Sequence, residues 1–505
     1  MKRLALGAVI VLVSAQASAQ SNPAALAARE WRDRNERAVL EELVEFLSIP
    51  NVTRDRAAIQ RNAEFIVRMM ARRGIQARPV TQGTANPIVF GEIRTPGATR
   101  TIAFYAHYDG QPVEETQWAS PPFNPTLRTR PIDEGGEVVP LAALGSSVDP
   151  EARLYARSAS DDKAPIMALM AAIDVIREAG LRLKSNIKFV FEGEEEALSP
   201  NLESMLTANR ELFAADLWLI IDGPLHQTRR PLIYFGARGM VRLDVTVYGA
   251  RTELHAGHYG NWAPNPALML ARLLASMRDD DGRVLIQGFY DDVEPLSDTE
   301  RRAIVDAPTI DQDLMRDLWL GSTEGAPATL AEVITRPALT IRGLASARVG
   351  AQAVSVIPST ATASLILSLV KGMDPARTRD RVVNHIRDQG YFVVEEAPTP
   401  EVRRSHTRVA WVQTAQRGVG AVRTPMDLPV AREVIAIVEA VRGPAVKLPN
   451  MGGTLPLADI ERPLGTRTIT VPIVNHDNNQ HSFDENLRIQ NLWDGIELLA
   501  ALLCM

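Results

Sequence analysis

The chain has 505 residues, 46% of them hydrophobic and 23% charged. That is enough apolar material for packed cores, so disorder is excluded as the main state, and the length suits roughly two to four domain-sized units. The 55 basic and 61 acidic residues leave a net charge of -6, which excludes a generic nucleic-acid binder, and the single cysteine, Cys504, excludes an internal disulfide and any cysteine-based zinc site.

The first element along the chain is an address. Lys2 and Arg3 precede an apolar run from Leu4 to Val13, and small residues follow as far as Ala17-Ser18-Ala19. A basic start, a short apolar stretch and an A-x-A site read as a secretory signal peptide cut after Ala19. The run is too short to span a bilayer, and no later one is long enough for a membrane helix. The mature protein is therefore expected to be secreted or periplasmic and free of the membrane. Apolar residues at helical spacing then predict a helix over Glu30–Leu47, before Pro50, and another over Ala57–Arg73, stopped by Gly74. Strand-length apolar runs follow at Ile88–Ile93, Thr101–Ala106, Ile187–Phe191, Leu217–Ile221 and Thr468–Val474, with a helix over Ala164–Ala179. Near-continuous apolar strands alternating with helices predict an α/β domain whose mostly parallel sheet is covered on both faces.

The middle reads differently. Met240–Tyr248 alternates apolar and polar, a helix fits Pro266–Arg278, and strands fit Ala338–Leu344 and Thr360–Val370. A helix over Pro375–Asp388 and a strand over Tyr391–Glu395 complete a β-α-β-β-α-β order, the ferredoxin-like α+β arrangement, with an insertion over Asp279–Pro337. The expected boundaries are a signal peptide over 1–19, a first domain over 20–237 that resumes over 401–505, and an inserted domain over 238–400.

Four of the apolar strands run into potential metal ligands. Thr101–Ala106 leads to His107-Tyr108-Asp109, Ile187–Phe191 to Glu192-Gly193-Glu194-Glu195-Glu196, Leu217–Ile221 to Asp222, and Val471–Val474 to His476 and His481. Ser160-Asp161-Asp162-Lys163 precedes a helix. In open α/β sheets, ligands bind outside the carboxyl ends of the strands. Each piece alone is weak, since a Glu run is usually a solvated helix start. Their joint placement, in a chain with eight histidines, is the signal. His, Asp and Glu suit zinc or another divalent cation, and this set is enough for two ions. One further carboxylate must stay uncoordinated to take the proton of the attacking water, and the Glu194-Glu195-Glu196 run can supply both roles.

In combination these motifs resemble metallopeptidase family M-twenty, which includes carnosine-type dipeptidases, bacterial glutamate carboxypeptidase, aminoacylases and succinyl-diaminopimelate desuccinylase. The likeness covers nearly the whole mature chain, and it implies that the inserted domain is a lid and dimerisation domain. It places His107 as the first metal histidine and Asp109 as the acid that orients it. Asp161 matches the carboxylate that bridges two metals, with Asp162 as the competitor. Glu195 matches the general base, Glu196 a ligand, and Asp222 a ligand on the second metal. His481, in an H-x3-E pattern with Glu485, matches the last ligand, with His476 as the competitor. His255, in Leu254-His255-Ala256-Gly257, matches a lid histidine that stabilises the oxyanion, and His258 stands close by.

Two departures bear on substrate. Dipeptidase members carry Arg in the lid strand before Leu-Val and Arg in an R-E-G-G-S-I-P loop. The corresponding residues here are Ser368 and Asn450, the latter in Asn450-Met451-Gly452-Gly453-Thr454-Leu455-Pro456. Neither supplies the cation that would hold a substrate carboxylate, and Arg342 or Arg348 is the candidate replacement. Gly452, Gly453 and Thr454 remain as candidate substrate contacts. The resemblance implies a secreted hydrolase of dipeptides or small peptides with two divalent ions, zinc by default and manganese or cobalt on the same ligands, acting as a homodimer through the lid. The alternatives are a deacylase of N-acyl amino acids and a catalytically silent periplasmic binding protein.

Overall fold

A computed structural model of the chain describes residues 22–140, 147–414 and 417–505. The leader expected over 1–19 lies outside the described residues. The chain divides into two units. The first runs to Phe235 and resumes over Thr424–Leu448 and Ile460–Met505, and the second comprises Gly236–Arg423 and Pro449–Asp459.

The first helix spans Pro23–Leu47, two turns earlier than its apolar stripe suggests. The reason is local: the Asn22 side chain accepts from the amides of Ala24 and Ala25, and Pro23 suits the first helical turn. No basic residue occupies the last turn of this helix. Lys163, at the start of the Lys163–Glu178 helix, supplies the missing donor from elsewhere. Its buried Nζ donates to the carbonyls of Phe46 and Ile49, each at 2.8 Å, and lies 4.6 Å from the centre of the Phe46 ring. One carbonyl of the last helical turn and one just beyond the helix thus gain a donor from a buried side chain.

The central sheet of the first unit has eight strands. Their order is Gln76–Val80, Ile88–Ile93, Asn186–Glu192, Thr101–His107, Leu217–Ile220, Thr468–Thr470, Leu232–Tyr234 and Val446–Leu448. Asn186–Glu192, Thr101–His107, Leu217–Ile220 and Thr468–Thr470 are mutually parallel, and antiparallel pairings flank them. The run Ile102 to His107 is buried without alternation, so both faces of that strand are covered. The last parallel strand stops at Thr470, not at Val474, because Pro472 cannot donate to a ladder. The C-terminal helix Ile489–Leu503 is buried nearly all round and packs against Pro23–Leu47 and Lys163–Glu178.

The second unit is built on a five-stranded sheet in the order Ala338–Ala345, Thr360–Leu369, Gly239–Tyr248, Val409–Thr414, Phe392–Val394. Val241, Leu243, Val245 and Val247 share a core with Ala361, Ala363, Leu365, Leu367 and the helices Pro266–Ala275 and Pro375–Asp388. The extra strand Val409–Thr414 pairs with Gly239–Tyr248 and buries Ala410 and Val412 in that core. It separates two strands that a simple ferredoxin-like sheet would place together. It also carries the unit to Arg423, past the boundary expected at 400. The insertion supplies short helices at Asp298–Val305, Asp311–Asp317 and Leu330–Val333, the first and last opened by capping boxes.

Candidate metal centre

The parallel strands of the first unit deliver their ligands to one edge. His107 ends its strand and pairs in register with Glu192, so the acidic turn after Glu192 starts beside it. The His107 Nδ1 lies 3.2 Å from the Asp109 carbonyl oxygen and 3.4 Å from Asp109 Oδ1. Either contact places the proton on Nδ1 and leaves the Nε2 lone pair free. Asp109 does more than orient an imidazole. Its Oδ1 accepts from the backbone amide of Glu195 and its Oδ2 from that of Glu196, each at 3.1 Å, and Thr53 Oγ1 donates to Oδ2 at 2.8 Å. One buried carboxylate therefore sets both His107 and the Glu195-Glu196 turn.

Asp161 lies between the two imidazoles. Its Oδ1 is 2.9 Å from His107 Nε2, and its Oδ2 is 3.0 Å from His481 Nε2. Asp222 Oδ2 stands 3.8 Å from His107 Nε2, and Glu196 Oε2 3.3 Å from His481 Nε2. Two ligand groups result: His107 with Asp222 and Asp162, and His481 with Glu196 and Asp161. Ligand atoms around a tetrahedral zinc ion lie about 3.3 Å apart, given bonds of about 2.0–2.1 Å, so this spacing suits such ions. Asp161 faces both groups with different oxygens. Asp162, its competitor, accepts from the His107 amide at 3.1 Å through Oδ2, while its Oδ1 is buried without a hydrogen-bond partner.

The charge balance points the same way. Burial and the charge of Asp161 push the Glu196 carboxyl up to about 8, and the same two influences push Asp222 up to about 6. Burial pushes Glu195 well above the usual carboxylate range, with Asp222, Glu196 and Asp161 adding to it. Carboxylates crowded in this way are stable as anions beside cations, and the donor set is the one hard and borderline divalent ions take. Glu195 belongs to neither ligand group, and no hydrogen bond to its carboxylate occurs among the described residues.

The loop that carries His481 is held under strain. His481, Asn479 and Asp484 have φ of 62°, 56° and 54°, values that non-glycine residues adopt at a cost. Arg153 and Arg488 both donate to Asp477 at the start of this loop. Glu485 closes it. Its Oε1 accepts from the amides of Ser160 and Asp161, and its Oε2 from the Ser158 amide and Arg157 Nη1, all at 2.9 Å. The H-x3-E spacing was visible in the sequence, but its purpose was not: the Glu ties the loop of one ligand to the loop of another. Gln111, which donates to Glu196 Oε2 at 2.7 Å, carries no sequence signal at all. His476 is absent from both ligand groups.

The remaining candidates lie in the second unit. His255 is exposed in a two-residue strand paired with Val356–Ile357, and its ring centre is 4.3 Å from that of His258. Arg342 is exposed on the edge strand, and Arg348 pairs with Glu253 at 2.6 Å. Ser368 lies in register with Met240 and Ala338. Asn450 is buried, and its amide donates to the Ile334 carbonyl at 2.9 Å, so its side chain is committed within the unit. Gly452 and Gly453 are exposed and Thr454 is half-buried.

A parallel sheet that brings two imidazoles and a shared aspartate to one edge defines the class of two-metal hydrolases. Known proteins agree. The model of "Peptidase family M20/M25/M40" matches residues 103–504, so the chain belongs to that family of metal-dependent peptidases, whose sites are dinuclear. The Cys-Gly metallodipeptidase dug1 of Schizosaccharomyces pombe is 25% identical over 488 residues, covering 92% of this chain and 95% of the relative. The human Beta-Ala-His dipeptidase is 26% identical over 426 residues, covering 82% and 76%. Among solved structures, the metallo-carboxypeptidase Sso-CP2 of Sulfolobus solfataricus superposes with a TM-score of 0.75 at 26% identity, covering 92% of this chain and 98% of that one.

Proposed function

We propose that the protein is an exported dipeptidase using two divalent ions, zinc by default. The observation that carries the reading is Asp161, whose two oxygens face the imidazoles of two ligand groups while Glu195 stands outside both. The near full-length relatives named as dipeptidases support the substrate class. His107, Asp222, Asp161, Glu196 and His481 would hold the ions, which when bound supply Lewis acidity toward the scissile carbonyl and acidify water. Glu195 takes the proton of the attacking water and returns it to the leaving amine. Asp109 keeps His107 in its Nδ1–H tautomer and fixes the turn that carries Glu195. The exposed His255 imidazole donates to the oxyanion.

The test is amine release by metal-loaded mature protein from dipeptides with free or amidated C-termini and from N-acetyl amino acids, with an EDTA-treated sample as blank. Metal-dependent cleavage of dipeptides is expected. Preference for the N-acetyl compounds would make the protein a deacylase, and metal binding without hydrolysis would make it a binding protein.

Export rests on the residues before Gln20, and a homodimer on an uncovered edge. The Ala338–Ala345 strand ends its sheet, with Ile341 39% and Leu344 61% exposed beside a hollow also lined by Ala271, Leu274 and Leu285. An apolar edge strand of this kind invites a second copy. A mature chain beginning at Gln20 and a particle of twice its mass are expected from mass spectrometry and light scattering. A monomer at micromolar concentration would sink the dimer.

A further inference from the structure

We infer that Glu194 is a positioning residue, whose carboxylate clasps Asn86 and Asn201 and so aims the Glu195 carboxylate at the attacking water. The inference rests on the reading of Glu195 as general base and deepens it. The Glu195 carboxylate makes no hydrogen bond among the described residues, so its direction is set by its backbone and packing. That backbone is bound on both sides. The Glu195 amide donates to Asp109 Oδ1 at 3.1 Å. The Glu194 carbonyl, on the same peptide unit, accepts from the amides of Ala197 at 3.1 Å and Ser199 at 3.0 Å. The peptide that carries the base is therefore held at both of its polar groups.

The Glu194 side chain fastens this turn to the rest of the unit. Its Oε1 accepts from the Asn86 backbone amide at 2.8 Å, and its Oε2 from Asn201 Nδ2 at 2.7 Å. Asn86 is buried, and its side-chain amide donates back to the Gly193 carbonyl at 2.9 Å and to the Thr53 carbonyl at 3.0 Å. Thr53 Oγ1 in turn donates to Asp109 Oδ2 at 2.8 Å. The bonds close a circuit from Asp109 through Thr53, Asn86 and Glu194 to the Glu195 amide, which returns to Asp109. A Cβ on Gly193 would lie 2.7 Å from the Tyr108 hydroxyl, so the turn cannot settle deeper against the sheet.

Three features set this clasp apart from ordinary turn packing. Leu198 and Ser199, directly after the Glu195–Ala197 turn, have φ of 67° and 47°, a left-handed pair that persists only where the surroundings enforce it. Asn201 stands before the Leu202–Ala208 helix, where asparagine ordinarily caps, yet its side chain makes no cap hydrogen bond and its amide turns to Glu194 instead. Glu194 itself forms no ion pair among the described residues. Its carboxylate is the group that accepts from two donors at once, one on each oxygen, whereas glutamine would offer one acceptor. Glu196, the next acid along, is held separately by Gln111 and its ligand group, so slack in the clasp falls on Glu195.

The test places Glu194→Ala and Glu194→Gln in the wild-type and Glu195→Gln backgrounds, with metal content and hydrogen exchange measured on the metal-loaded proteins. In the wild-type background Glu194→Ala should lower kcat roughly 10–100-fold, with KM within about threefold and both ions bound, the cost of a slightly misplaced reacting group. Glu194→Gln keeps one of the two bonds and should lose less. Asn201→Ala removes the Oε2 bond alone and should resemble it, which covers a Glu194→Ala chain that does not fold. The amides of Ala197 and Ser199 should exchange about tenfold faster in Glu194→Ala. In the Glu195→Gln background the same substitution should change the residual kcat by less than about threefold, because no base is left to aim. Equal losses in the two backgrounds overturn the inference, since the residue then acts on the fold at large. Wild-type kcat in Glu194→Ala, or loss of an ion per chain, overturns it as well. Glu195→Gln with wild-type turnover overturns the base reading and the inference together. If no dipeptide is cleaved, the dipeptidase reading falls; faster exchange in Glu194→Ala then still supports the clasp, and unchanged exchange overturns it.

Discussion

Glu195→Gln should lower kcat on a cleaved dipeptide by roughly 10²–10⁴-fold, the usual worth of a general base, while both ions stay bound. The substitution keeps the shape of the side chain and removes its basicity. The Glu195 carboxylate lies outside both ligand groups, and its backbone amide is held by Asp109 whatever the side chain becomes. The ligand cages should therefore survive. Metal content by elemental analysis and kcat on the same sample separate the roles. Wild-type turnover would mean that another acid takes the proton. Loss of one ion per chain would make Glu195 a ligand.

The second large effect is expected where no chemistry occurs. Glu485→Ala removes the acceptor of Ser158, Ser160 and Asp161 amides and of Arg157, all in the interior. Breaking a buried ion pair with one partner left behind costs about 3–5 kcal/mol, and the stranded amides add to it. Asp161 and His481 would both lose their support, so thermal midpoint and metal content should fall together, and zinc should restore only part of the midpoint. Glu485→Gln keeps an acceptor oxygen and should lie between the two. A Glu485→Ala protein with wild-type midpoint and two ions would show that the loops hold themselves.

The sequence was most legible where the chemistry follows a strand. His107 and Asp222 come directly after apolar runs, and the parallel sheet alone carries them to one edge. The preference for Asp161 over Asp162 follows from the D-x-K spacing of the family resemblance, Asp161 standing two residues before Lys163. What spacing does not contain is which oxygens of Asp161 face His107 and His481, a tertiary fact. The Val409–Thr414 strand fell on the wrong side of a domain boundary because its six residues pattern like any half-buried strand. The Ile489–Leu503 helix went unread although Gln490, Asp494 and Glu497 mark one polar face along it.

The bonds from Glu485 to the Arg157–Asp161 segment link residues 324 to 328 positions apart. The ligand loops are therefore joined by residues far apart along the chain. A polypeptide that has emerged as far as the Thr468–Thr470 strand still lacks His481 and the carboxylate that braces Asp161. A chain interrupted there is expected to keep only the group of His107, Asp162 and Asp222. Sequence order thus leaves the second ligand group, with His481, to be closed after the first.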